Sequence, residues 1–157
     1  MTTPSELQAA LVQYRAGLEA ELVLLRRLEE VANRQKATSA REDMAALQLA
    51  ADERETLMSG LLHIEQEIRP HRDLLSREKD VARQLAAFEE VAELHRTVTG
   101  IVKAILATDQ DSIRALEQIV EAKRIAAKAA EHGEATLAAY GRVIAFPPSS
   151  QLVNRRG

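Results

Sequence analysis

Cysteine and tryptophan are absent from this sequence of 157 residues, and aromatic residues make up only 3% of it. Without cysteine the chain forms neither disulfide bonds nor thiolate metal sites, and we expect a cytoplasmic protein. So few aromatic side chains disfavour a compact globular core, which usually contains several of them. No run of about 18 apolar residues occurs, so we expect no membrane-spanning helix. The first residues, MTTPSELQ, lack the charged and apolar regions of a secretion signal.

The formal net charge of -3 limits the classes of partner. Nucleic-acid binding requires a concentrated positive surface, and the basic pairs of this chain are too few to provide one. The composition is instead 46% apolar and 29% charged, with abundant alanine, leucine, glutamate and arginine. Such a composition is typical of long helices.

Apolar residues recur three or four positions apart in both halves of the chain, which predicts amphipathic α-helices. Between residues 47 and 68 the apolar positions keep a seven-residue repeat that only Arg54 interrupts, as in a helix that packs against another helix. We expect Arg54 to form a salt bridge that fixes the register, with Glu89 or Glu93 nearby. The remaining stripes contain Leu7, Leu11, Tyr14, Leu18, Leu22, Leu25 and Leu28, and later Leu85, Phe88, Val91, Val98, Ile101, Val102 and Ile105.

The prolines divide the sequence into long helical stretches. Pro4 marks a helix start, and Pro70 is predicted to end a helix because proline lacks a backbone N–H and clashes with the preceding turn. The helices on the two sides of Pro70 would then form an antiparallel hairpin that reverses near residue 73. In that arrangement Ser39 lies opposite Ala107.

Two segments of this hairpin, 36–41 and 107–111, carry residues that start helices, so we expect a kink or break in each. We therefore predict an all-α fold, a coiled-coil-like antiparallel hairpin of long helices that forms one domain from residue 1 to residue 146. Whether it closes into a four-helix bundle is left open. The capping residues are Ser39 with Glu42 in the first segment, and Thr108 with Asp111, or Asp109 alone, in the second.

The sequence offers little chemistry for an enzyme. Its glycines are scattered and form no phosphate-binding loop, and no turn motif presents a serine nucleophile. His63, Glu67 and His71 have the spacing of metal ligands on a helix, but Pro70 interrupts it, so we predict a solvated cluster at a helix end. His95 lies at the edge of an apolar stripe, as a boundary residue does. We expect no catalytic residue, no metal and no cofactor.

The C-terminal region is the candidate partner-binding site. Its helix is rich in alanine and is weakened by Gly133, by about 1 kcal/mol, before it ends near Gly141. The flexible tail, 147–157, begins with two prolines that favour an extended chain. We predict that this region captures a partner helix; the alternatives are a segment that packs on its own hairpin and a frayed end. The candidate residues are Leu137, Tyr140, Val143, Ile144 and Phe146.

The layout resembles that of the FlgN-like flagellar export chaperones, small cytoplasmic helical proteins that escort the hook-filament junction subunits. The resemblance extends over most of the chain. It is carried by a leucine-rich N-terminal helix, by the segment ATSAREDMAALQLAADERETLMSGL, and by a long C-terminal helix that ends in EATLAAYG before a polar tail. Within the middle segment, Glu53, Arg54 and Glu55 form a charged cluster between Leu47 and Leu61.

This resemblance implies a chaperone that binds the amphipathic C-terminal helix of an export substrate, prevents its premature polymerisation and delivers it to the export gate. Client binding would fall on the C-terminal apolar positions, and Tyr140 would contact the gate. A competing hypothesis is a structural coiled-coil or scaffold protein that self-associates through the same stripes. The sequence leaves open whether the chain forms a homodimer.

Overall fold

The computed structural model describes residues 2–143, without the side chains of 135 and 138–143. Within this range the chain forms four helices and no strand, so the predicted all-α fold is confirmed. The chain divides into two compact units, 1–113 and 114–157. Among the described helices, none has the length and apolar character of a membrane span. The helices are α1 (Pro4–Ala40), α2 (Met44–Arg77), α3 (Lys79–Ala82) and α4 (Phe88–Val143).

Helix α1 begins where the sequence predicted, at Pro4. The hydroxyl of Thr3 accepts a hydrogen bond from the backbone N–H of Glu6 at 3.2 Å, and the Glu6 carboxylate accepts one from the backbone N–H of Thr3 at 2.7 Å. This reciprocal capping box satisfies backbone donors that have no partner within the helix. Proline at the next position adds a preset backbone angle without loss of a hydrogen bond.

The first reversal of the chain lies between α1 and α2, which confirms the break expected near 36–41 but not its cap. Ser39 is the penultimate residue of α1, and its hydroxyl donates to the carbonyl of Gln35 at 2.6 Å. Because that hydroxyl is already used, Ser39 is not the N-cap. Glu42 adopts a positive φ of 56°, and the Asp43 carboxylate caps α2 by accepting from the N–H of Ala46 at 3.1 Å.

Pro70 lies inside α2, so the prediction that it ends a helix is wrong. A proline within a helix removes one backbone hydrogen bond and costs about 3 kcal/mol when nothing offsets it. Here Ile68 and Leu75 are buried in the core on the two sides of Pro70, while Pro70 itself is exposed. Burial of these two side chains holds the helix together across the proline.

The first unit is a bundle of α1, α2 and the part of α4 before residue 114. Contacts between Arg34 and Glu53, at 2.6 Å, and between Gly17 and Ile68 make α1 and α2 antiparallel. The hairpin therefore reverses at 41–43, and the predicted reversal near residue 73 is wrong. A second reversal, formed by α3 and the turns around it, returns the chain as α4, parallel to α1.

Helix α4 continues through 107–111, so the predicted break there does not occur. The hydroxyl of Thr108 donates to the carbonyl of Ala104 at 3.1 Å, and that of Ser112 donates to the carbonyl of Thr108 at 3.2 Å. Asp109 is bound by an arginine of α2 instead of capping a helix. Because the side chains of Thr108 and Asp109 are engaged in these bonds, neither caps a new helix in this segment.

The arginine of α2 that binds Asp109 is Arg54. Its guanidinium binds the Asp109 carboxylate through two hydrogen bonds, of 2.7 and 2.5 Å, and also donates to the side-chain oxygen of Gln35 at 2.9 Å. The expected salt bridge at Arg54 is confirmed, but the expected partners, Glu89 and Glu93, are wrong because the chain reverses at a different place. Through its bonds to Gln35 of α1 and Asp109 of α4, Arg54 of α2 connects all three long helices and fixes their register.

The Arg54 pair is expected to contribute to stability because it is partly buried. Replacing Arg54 with alanine leaves the Asp109 carboxylate without its partner, and we expect a loss of about 1–2 kcal/mol in the free energy of unfolding. The control is Arg34→Ala, which removes a more exposed pair and should cost about 0.5 kcal/mol or less. Urea denaturation measures both, and equal losses would contradict this account.

The core of the first unit follows the predicted spacing, with one difference. In α1 the buried positions pass from Leu18 through Glu21 to Leu25, whereas the expected Leu22 is only partly buried. Glu21 thus occupies a position that apolar residues hold elsewhere along the helix. The core contains, among others, Leu7, Leu11, Leu18, Leu25, Leu28 and Val31 of α1, Ala50, Leu57, Ile68 and Leu75 of α2, and Val91, Val98 and Ile105 of α4.

Candidate functional site

A cleft of about 410 Å³ lies between α2 and α4, and residues of α1 also line it. Ligand sites in proteins typically have this size and combine apolar walls with a few polar groups. The polar residues that line the cleft are Tyr14, Glu21, Glu65, Arg72, His95 and Thr99. Its apolar lining includes Leu18 and Leu25 of α1, Leu61 and Leu62 of α2, and Val98 and Val102 of α4.

The polar groups of the cleft contact one another across the three helices. The hydroxyl of Tyr14 lies 2.9 Å from Nδ1 of His95, within hydrogen-bond distance. Nη1 of Arg72 lies 2.5 Å from Oε1 of Glu65, about two helical turns earlier in α2. The Glu21 carboxyl, when protonated, donates a hydrogen bond to the Glu65 carboxylate. We call these five residues, Tyr14, Glu21, Glu65, Arg72 and His95, the polar cluster.

Glu21 is the least exposed carboxyl of the polar cluster, with 8% of its surface accessible. Burial, the hydrogen bond to Glu65 and the negative charge of Glu65 raise the pKa of Glu21 to about 7, and the positive charge of Arg72 opposes this increase. Burial also raises the pKa of Tyr14. The cluster therefore exchanges a proton near neutral pH, and its two carboxyl groups face a single guanidinium.

The rim of the cleft is apolar and open to solvent. Met58 and Leu62, one turn apart on α2, are both exposed, as is Val102 on α4. Leu106, one turn beyond Val102, extends the same face of α4 and is exposed as well. A row of large apolar side chains that flanks an open cleft is typical of a surface that binds another protein.

A second apolar surface lies on the described part of the second unit, which is the helical segment 114–143. We call this part of α4 the terminal segment. Leu116, Val120, Ala127, Ala130 and Leu137 are spaced three, four or seven apart, the spacing of one helix face, and we call them the terminal seam. Val120 is 66% exposed and Leu137 is 50% exposed. Two alanines at its centre allow close approach of another helix.

The structure places part of the predicted C-terminal site. Leu137 is an exposed residue of α4, on the same face as Val120. The backbones of Tyr140 and Val143 continue α4 to its end, but their side chains lie outside the described ones, and Ile144, Phe146 and the predicted tail, 147–157, lie outside the described residues. The structure therefore does not test whether these five residues form one site.

The polar cluster was missed by the sequence interpretation because its members come from three helices. Only Tyr14 and His95 had been assigned positions, at an apolar stripe and at its edge. A signal was present, however. Glu21 lies seven residues after Tyr14 and seven before Leu28, which are both stripe positions, so its charge falls on the buried face in the same way as that of Arg54.

The fold and these surfaces define the class of protein: an all-α helical-bundle protein with exposed apolar helix faces and a partly buried polar cluster. His63 binds Glu67 at 3.1 Å on the exposed face of α2, away from this cluster. Comparison of the chain with protein-family models, with curated proteins and with solved structures finds no match.

Proposed function

We propose that this protein is a non-catalytic helix-binding chaperone that captures an amphipathic helix of a client protein along its terminal seam. The observation that carries the proposal is the exposure of that seam on a regular helix. A client helix would bury Val120 and Leu137 and pack closely over Ala127 and Ala130. Burial of apolar surface in this way is the main favourable contribution to helix-in-groove recognition.

The resemblance to FlgN-like chaperones extends this proposal to a particular client. In it, the client is the C-terminal helix of a hook-filament junction subunit, and the chaperone holds that helix in the cytoplasm until the export gate accepts the client. The exposed position of Leu137 supports the location of the client site near the C-terminal end of α4. Tyr140, three residues later, is our candidate for contact with the export gate.

The proposal is tested by charge substitutions on the terminal seam. The double variant Val120→Glu, Leu137→Glu should lose the client, because each glutamate must be desolvated against an apolar client helix. We expect binding to weaken by a factor of about 30 or more, since each substitution costs about 1–2 kcal/mol. The control is Ile125→Glu, because Ile125 is also exposed, at 55%, but lies outside the seam.

The measurement is affinity purification of each tagged variant from the cells that make the protein, with identification of the bound proteins. Enrichment of a flagellar hook-associated subunit with the wild type and Ile125→Glu, but not with the double variant, would support the proposal. Recovery of only the protein's own chain would instead favour the self-associating scaffold. Client binding that survives the double substitution would place the site elsewhere.

A further inference from the structure

The cleft between α2 and α4 is a surface that the proposed function does not use. We infer that this cleft is a second recognition site, which takes a short amphipathic helix that carries one lysine or arginine on its apolar face. The inference is independent of the terminal seam, because residues of the first unit alone form the cleft.

The shape of the cleft favours a helix as its occupant. Met58 and Leu62 form one apolar row on α2, and Val102 and Leu106 form another on the antiparallel α4. Two such rows with a depression between them provide the groove into which a further helix packs in a four-helix bundle. From Tyr14 to Leu25 along α1 the cleft is about 16 Å long at ~1.5 Å per residue, so about three turns of helix fill it.

The charges in the floor of the cleft favour a cation on that helix. Arg72 forms its ion pair with Glu65, and its positive charge only partly offsets the burial and the negative charge of Glu65 that act on Glu21. With Glu21 ionised, two carboxylates face one guanidinium, and one positive charge would balance them. Tyr14 on α1 and His95 on α4 face the same space and bind each other.

A purely apolar helix would pack well against the apolar rim of the cleft but not against the polar cluster. It would exclude water from Glu21 and increase the cost of an ionised carboxylate there. The ammonium or guanidinium of an occupant replaces the proton that Glu21 otherwise holds, and the hydrogen bonds between the ions are stronger than neutral ones. The cleft should therefore discriminate between helices of equal apolar character by one central charge.

The test uses two stapled, fluorescently labelled helices of about 14 residues, with leucines along one face. One peptide has lysine at the centre of that face, and the other has glutamine there. Fluorescence anisotropy with the full-length protein at pH 8, where Glu21 is ionised, measures their dissociation constants. We expect the lysine peptide to bind about tenfold more tightly than the glutamine peptide.

Three variants then locate the site. Glu21→Gln should bring the affinities for the two peptides to within about twofold of each other. Leu62→Ser should weaken the lysine peptide about fivefold, because Leu62 lines the cleft, whereas Val23→Ser should not. Leu62 is 60% exposed and Val23 is 61% exposed, so the two substitutions differ in location rather than in exposure.

The dependence of binding on pH supplies a further readout. The lysine peptide should bind more tightly at pH 8 than at pH 6, because its ammonium competes with the proton on Glu21, and Glu21→Gln should remove this difference. Equal affinity for the two peptides, a preference that persists in Glu21→Gln, or no binding of the lysine peptide would each overturn the inference. None of these results bears on the client experiment with the terminal seam.

Discussion

Replacing Gly17 with alanine is expected to destabilise the bundle by about 3 kcal/mol, which for a chain of this size lowers the melting temperature by about 6–12 °C. A Cβ atom at this position would lie 1.9 Å from Cγ2 and 3.2 Å from Cβ of Ile68. Ile68 is buried and branched at Cβ, so it has few other rotamers available to avoid the contact. The substitution must therefore move α2 away from α1.

The control for this prediction is Gly100→Ala. A Cβ atom at Gly100 would meet nothing within 4 Å, and the residue lies inside α4. Here alanine should stabilise the helix by about 0.5–1 kcal/mol, because glycine loses more backbone entropy on folding. Urea denaturation with the two variants distinguishes steric crowding from helix propensity. If both substitutions had the same sign, the close approach of α1 and α2 at Gly17 would be refuted.

A double-mutant cycle identifies the cause of the expected loss. Ile68→Ala removes Cγ2 and by itself should cost about 2–4 kcal/mol, as other large-to-small core substitutions do. In that background Gly17→Ala should be nearly neutral, because Cγ2, the atom at 1.9 Å, is absent, and the helix propensity of alanine offsets the remaining contact with Cβ at 3.2 Å. Additive losses would show that the two residues do not interact.

The sequence predicted the all-α class and the start of α1 well, but the ends and the arrangement of the helices less well, for a physical reason. Local signals decide where a helix starts, and the capping residues Thr3 and Glu6 act within one turn. Whether Pro70 ends a helix depends instead on what the flanking turns bury, because the packing of Ile68 and Leu75 compensates for the lost hydrogen bond. That information is tertiary, so the spacing of apolar residues did not reveal it.

The site shows the same limit in a different form. The apolar stripe of α1 was visible in the sequence, and so was a glutamate at a stripe position, Glu21. Its partners, Glu65 and Arg72, are more than 40 residues away in the chain, and only the reversal at 41–43 brings them to it. A charge at a stripe position thus indicates a buried polar group, but the fold must be known before its partner is identified.

Glu21 also makes the stability of the bundle depend on pH. Its pKa is raised from 4.5 to about 7 in the folded chain, so folding binds a proton between these values. Stability is therefore greatest, as far as Glu21 is concerned, below about pH 4.5, and decreases as pH rises through 7, where the buried carboxyl ionises. At about 1.4 kcal/mol per pKa unit, the rise from 4.5 to about 7 makes the full decrease about 3–4 kcal/mol.

Glu21→Gln should abolish this decrease. A glutamine amide donates a hydrogen bond to Glu65 as the protonated carboxyl does, but it does not ionise. The variant should be more stable than the wild type by only about 1 kcal/mol at pH 5, and by about 3 kcal/mol at pH 8. Glu30→Gln, at an exposed position of the same helix, is the control and should follow the wild type at both values.

Urea denaturation of the three proteins at pH 5, 6, 7 and 8 measures the free energy of unfolding as a function of pH. Subtracting the curve of one protein from that of another cancels the contributions of groups that titrate alike in both. Parallel curves for the wild type and Glu21→Gln would mean that Glu21 is ionised and solvated in the folded chain. In that case Glu21 would hold no proton near neutral pH, and the lysine of a bound helix would have no proton to displace. The stability experiment and the peptide experiment thus test one carboxyl group by independent means.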